Sequence, residues 1–88
     1  MKIKEGFVLR SVADTWAAIP VGKAAAEFNG MLNLNDSGAV LWQRLEQGAQ
    51  RDELLQTVLD RYEVTQEQAA ADVDSFLTTL REAGCIEE

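Results

Sequence analysis

The chain has 88 residues, 47% hydrophobic and 26% charged, and a net charge of −7 from 15 acidic and 8 basic side chains, with no histidine. That length suits one domain with a modest core, and no run approaches the roughly 20 apolar residues that a membrane span needs. Its single cysteine, with no histidine, rules out an internal disulfide and a tetrahedral zinc set, and the acidic balance disfavours nucleic acid as a partner.

Met1 to Glu5 leads into a run containing Arg10, in place of the uninterrupted apolar stretch of a signal segment, so a cytoplasmic protein is expected. Phe7-Val-Leu-Arg-Ser-Val12 alternates and is rich in β-branched residues, which predicts a strand, and Ala13-Asp14 supplies a turn. Thr15-Trp-Ala-Ala-Ile-Pro-Val21 reads as a second strand. Pro20 cannot donate a ladder hydrogen bond, so its nitrogen must face away from a partner or lie at the strand's end. Gly22 breaks the run, and the alanine-rich Lys23 to Glu27 reads as a loop with room for one helical turn. Asn29-Gly30 then reverses the chain into a short third strand, Met31 to Leu34. Strand alternation sets Met31 and Asn33 against Leu32 and Leu34, with Leu34 expected inside.

Asp36 or Ser37 is the expected N-cap of a first helix whose Ala39, Leu41, Trp42 and Leu45 recur at helical spacing, and Gly48 follows as a left-handed terminator. Trp42 is expected to anchor the core. A second helix, from Arg51 or Asp52 to Tyr62, puts Leu54, Leu55, Val58, Leu59 and Tyr62 on one stripe. Thr65-Gln-Glu-Gln68 has the form of a capping box, and Ala69, Val73, Phe76, Leu77 and Leu80 form the stripe of a third helix closed by Gly84. Ile86 can fold back as an apolar tail.

Strands followed by helices, with short connections, predict an α+β domain over residues 1–88: a three-stranded antiparallel sheet followed by three helices, in a winged helix-turn-helix-like arrangement. Winged helices often bind DNA, but Val64 to Arg81 has Arg81 as its only basic residue beside Glu67, Asp72 and Asp74. Cys85 has no histidine to activate it and has Glu87 and Glu88 nearby, so catalysis is not expected, and no carboxylate pair falls in a recognisable motif. The function is therefore sought in a surface. A winged-helix protein-interaction or regulatory module is one reading that the residues allow.

The segments Trp16-Ala-Ala-Ile-Pro-Val-Gly22, Phe28 to Trp42 with its strand ending Leu-Asn-Leu-Asn-Asp-Ser, Leu54-Leu-Gln-Thr-Val-Leu-Asp-Arg-Tyr62 and Asp72-Val-Asp-Ser-Phe-Leu-Thr-Thr-Leu-Arg-Glu-Ala-Gly84 together resemble the PqqD-like family. That family includes the recognition elements of ribosomally synthesised and post-translationally modified peptides. The resemblance implies a non-catalytic peptide chaperone without a cofactor, which binds the leader of a precursor peptide and presents it to a modifying enzyme such as a radical S-adenosylmethionine (SAM) protein. It further implies that the leader adds as a strand beside the third strand, over the groove toward the third helix. By position, Met31, Leu32 and Asn33 would form one wall, and Asp72, Val73, Phe76 and Leu80 the other. The acidic residues Glu67, Asp72 and Asp74 would favour a basic leader. The edge that admits a leader could also pair with a second copy as a homodimer.

Overall fold

The computed structural model describes residues 1–28 and 30–88. The turn expected at Asn29-Gly30 thus lies partly outside the described residues. A short strand β1 (Lys2–Ile3) precedes a hairpin of β2 (Phe7–Val12) and β3 (Thr15–Pro20), paired antiparallel from Phe7 opposite Pro20 to Val12 opposite Thr15. Pro20 closes its strand, as its missing N–H requires. Ala13 makes the tight connection at a φ of 54°, a left-handed conformation that costs a residue bearing a Cβ about 1 to 2 kcal/mol.

The alanine-rich stretch forms a helix, α1 (Lys23–Glu27), and the chain then enters β4 (Leu32–Leu34), which pairs antiparallel with β3 and gives a sheet of order β2-β3-β4. Pairing carries the side-chain alternation across all three strands. Phe7, Leu9, Trp16, Ala18, Leu32 and Leu34 share the face packed against the core, while Met31 and Asn33 are exposed.

Three longer helices cover that face: α2 (Asp36–Glu46), α3 (Arg51–Arg61) and α4 (Gln66–Ala83). The cap of α2 is Asn35, one residue before the expected Asp36 or Ser37. Its Oδ1 accepts the Gly38 N–H at 2.8 Å and the Ser37 hydroxyl at 3.1 Å, so a single side chain satisfies two donors at the helix start. α3 starts at Arg51, as expected, and the N–H of its cap Gln50 donates to the Glu53 carboxylate at 2.9 Å. Thr65 caps α4 as predicted, accepting from the Gln68 N–H at 3.1 Å. Gly84 ends α4 at a φ of 75°, a conformation that favours glycine.

The chain ends meet. β5 (Ile86–Glu87) pairs antiparallel with β1, the Lys4 backbone N–H donates to the Cys85 carbonyl at 2.8 Å, and the Ala49 N–H donates to the Met1 carbonyl at 2.9 Å. Ile86 was expected only as an apolar tail. Two-residue strands carry no periodicity, and their pairing joins positions more than 80 residues apart, so no local signal announces it. Gly6 lets the chain pass α1 closely: at a φ of 99°, a Cβ there would lie 2.6 Å from the Ala24 Cβ.

Trp42, Leu45, Leu54, Val73, Leu77 and Leu80 are the largest side chains wholly removed from water. The Trp42 ring meets Phe7 edge to face, with centroids 5.7 Å apart, and Phe7 in turn meets Phe28 at 5.0 Å. The Trp42 indole N–H has no partner among the described residues, which offsets part of what the ring's burial contributes, by about 1 to 3 kcal/mol.

In urea titrations, Trp42→Ala is expected to lower stability by about 3 to 5 kcal/mol, whereas Trp42→Phe costs clearly less because it also removes the orphaned donor. Ala13→Gly is expected to raise stability by up to about 1 kcal/mol, since the relief at positive φ exceeds the added freedom of the unfolded chain. A loss of stability in Ala13→Gly would contradict the strained turn.

Candidate functional site

A groove of about 620 Å³ lies between β4 and α4, floored by the end of α3. One wall is the junction of β4 with α2, from Asn33 to Gly38. It exists because Asn35 turns the strand directly into a capped helix, which leaves no loop to fill the space. Leu41, Val58, Tyr62 and Val64 supply the apolar floor. The opposite wall is Asp72, Ser75, Phe76 and Thr79, at i, i+3, i+4 and i+7 along α4, a stripe beside the buried Ala69, Val73, Leu77 and Leu80.

β4 bonds to β3 on one side only, and its other edge has no strand partner among the described residues. Trp16 from β3 is half-buried and donates its indole N–H to Asp36 Oδ1 at 3.1 Å, tying the sheet to the start of α2 at the groove.

Of the residues singled out in the sequence, Asn33, Asp72 and Phe76 come together around this groove. Leu32 is half-buried on the core face of β4. Met31 is 61% exposed and precedes the strand, outside the groove lining. Val73 and Leu80 are entirely buried, so they hold α4 against the core and offer no surface to a ligand. Sequence reasoning missed Ser75 and Thr79, and also Tyr62 and Val64. The first two were legible as the polar half of a stripe containing Phe76. Tyr62 ends the second apolar stripe and Val64 lies in the connection after it, and both reach the groove only through the packing of α3 against α4.

The acidic residues of α4 separate by position. Asp74 faces Arg51 of α3, which donates to both its oxygens, at 2.7 and 3.0 Å. This hydrogen-bonded pair holds the Asp74 carboxyl below its ordinary range and raises the Arg51 guanidinium. Asp72 lines the groove and has no hydrogen-bond or ion-pair partner among the described residues, and Glu67 lies outside the lining. Cys85 is buried, and desolvation raises its thiol pKa against the opposing charge of Lys4. Among the described residues no cluster of His, Cys, Asp or Glu could hold a metal ion, and no helix is long and apolar enough to cross a membrane.

These features define a class: a winged-helix-like α+β domain whose open edge strand borders a groove against its last helix. The chain belongs to the coenzyme PQQ synthesis protein D (PqqD) family, which matches residues 10–86. Two solved structures share its fold. One, "TbiB1 in Complex with the TbiA(beta) Leader Peptide", is 22% identical, with a TM-score of 0.77 over 99% of this chain and 95% of that one. The other, "Lasso peptide synthetase B1 complexed with the leader peptide", is 21% identical, with a TM-score of 0.74 over 99% of this chain and 96% of that one. No match was found among curated proteins.

Because the Asp74 carboxyl is depressed, its stabilising contribution is present above the unfolded carboxylate pKa of about 3.9 and is lost as pH falls through the lower folded value. The pair is exposed, so the effect is small. Asp74→Asn is expected to unfold at slightly lower urea than the parent at pH 7, with the difference closing in strong acid. A difference that persists unchanged in acid would show that the ion pair is not its source.

Proposed function

We propose that this protein is a non-catalytic binder of an extended peptide, the leader segment of a ribosomally synthesised precursor, which it presents to a modifying enzyme in the cytoplasm. The supporting observation is the open edge of β4 beside the groove: an added strand would satisfy the unpaired backbone groups of that edge while alternate side chains entered the cavity. The likeness in fold to two proteins solved with leader peptides supports the same reading. The leader would lie along Leu32 and Asn33, with Met31 flanking its path and Asp72 and Phe76 facing it. Val73 and Leu80 would act from beneath by fixing α4. A radical SAM enzyme is the modifying partner that the family resemblance favours. A homodimer formed through the same edge would compete with the peptide.

The test is calorimetric titration of a synthetic leader from a precursor encoded beside this gene, with a scrambled peptide as control. Saturable binding that is absent for the scramble, weakened about tenfold by Phe76→Ala and unchanged by Asp74→Asn, is expected. Equal binding of both peptides, or none, would move the reading to a protein-interaction module.

A further inference from the structure

The groove is charged on one sign only. Among the described residues, Asp36 and Asp72 are the charged ones of its lining, and no lysine or arginine accompanies them. Of the four arginines in the helical layer, three are committed elsewhere, Arg51 to Asp74, Arg44 to Glu53 at 2.7 Å and Arg81 to Glu88 at 2.7 Å, and the fourth, Arg61, is exposed at the end of α3 and does not line the groove. Asp36 spends Oδ1 on the Trp16 indole, and among the described residues its Oδ2 and both oxygens of Asp72 have no partner. The half-buried Phe76 lies one helical turn from Asp72, on the same stripe of α4. An aromatic face next to an uncompensated carboxylate suits a long cationic side chain, whose methylene stem can cover the ring while its head reaches the carboxylate.

Building on the peptide-binding reading above, we propose that this groove selects a peptide bearing a lysine or arginine side chain that lies across Phe76 to Asp72, with Asp36 on the facing wall rejecting acidic residues. Arginine is favoured over lysine, because its planar head stacks on the ring and pairs with a carboxylate at the same time. Asp74 takes no part, since both its oxygens already receive bonds from Arg51. The selectivity comes as much from repulsion as from attraction: an acidic side chain here would meet two carboxylates and no cation.

A phage-displayed library of random peptides, panned against the purified protein, tests this. The panning is repeated on Phe76→Ala, Asp72→Lys, Asp36→Asn and Asp74→Asn, each checked for parental unfolding behaviour. The expected result is enrichment of a basic residue at a fixed offset from the apolar residues of the captured peptides. It persists in Asp74→Asn, weakens in Asp36→Asn and turns to acidic enrichment in Asp72→Lys. Replacing the basic residue of a selected peptide with glutamine should weaken binding to the parent about threefold to fivefold, and leave binding to Asp72→Asn nearly unchanged. Peptides captured by the parent but not by Phe76→Ala, yet with no basic preference, would overturn the charge selectivity and leave the groove reading intact. A basic preference untouched by Asp72→Lys would also overturn it. Peptides captured equally by Phe76→Ala would overturn the groove reading itself.

Discussion

The contact of Trp42 with Phe7, and of Phe7 with Phe28, is the constraint on which the rest of the structure depends. A three-stranded sheet cannot bury both its faces, and a hairpin alone is marginal in water. By driving the largest side chain of α2 onto the first long strand, the fold fixes the angle at which the helical layer meets the sheet. Phe28 extends that contact to the segment leading toward β4, and the αL residue Gly84 at the end of α4 closes over it, where a Cβ would lie 3.4 Å from the Phe28 ring. Three elements distant in sequence are thereby held by one aromatic row. The Trp42 N–H has no partner among the described residues, so the ring contributes to this row through its packing and not through a hydrogen bond.

With that angle fixed, the groove follows from two local economies. Asn35 ends β4 and starts α2 in the same residue, so the strand edge and the helix start form one continuous wall. α4, at 18 residues, is the longest helix, and it shows the core one stripe and the groove the next. The floor is apolar because α3 ends there with Val58 and Tyr62 inward. An open strand edge is ordinarily a liability, invited into pairing with any chain. Here it is only three residues long and bordered by acidic side chains, which limits indiscriminate pairing while leaving room for a chosen partner.

Much of this was readable from the residues. Alternation in Phe7–Val12 and Thr15–Pro20 and the 3.6-residue stripes of Leu54–Tyr62 and Ala69–Leu80 gave the right elements, because each buries one face and the burial is local in sequence. The cap of α2 fell one residue early, because Asn35 stands beside other competent caps and only geometry decides between them, whereas α3 starts at Arg51 as expected. The pairing of β1 with β5 carried no local signal at all. At the site, the phase of the α4 stripe separated Asp72 and Phe76 from Val73 and Leu80 by a rotation too small to read from spacing, since all four lie within half the helix circumference. What spacing could not supply was which neighbouring element each flank of that stripe would meet.

The same rotation governs the electrostatics. Asp72 and Asp74 differ by two positions, which on a helix is about 200° of turn, so they look toward different neighbours. Asp74 meets Arg51 and becomes part of the clasp between α3 and α4; Asp72 meets the open groove. Lys2, Lys4, Arg10 and Lys23 nearly balance Glu5, Asp14 and Glu27, so the acidic excess of the chain sits on its helical half. Within that half, three arginines are spent on pairs that join successive elements: Arg44 links α2 to α3, Arg51 links α3 to α4, and Arg81 holds the segment after α4. The net charge is thus not a uniform coat. Three of the twelve carboxylates of that half are cancelled by arginines where elements are joined, and the two in the groove lining are among those left standing, so they set the local field a peptide would meet on entering it.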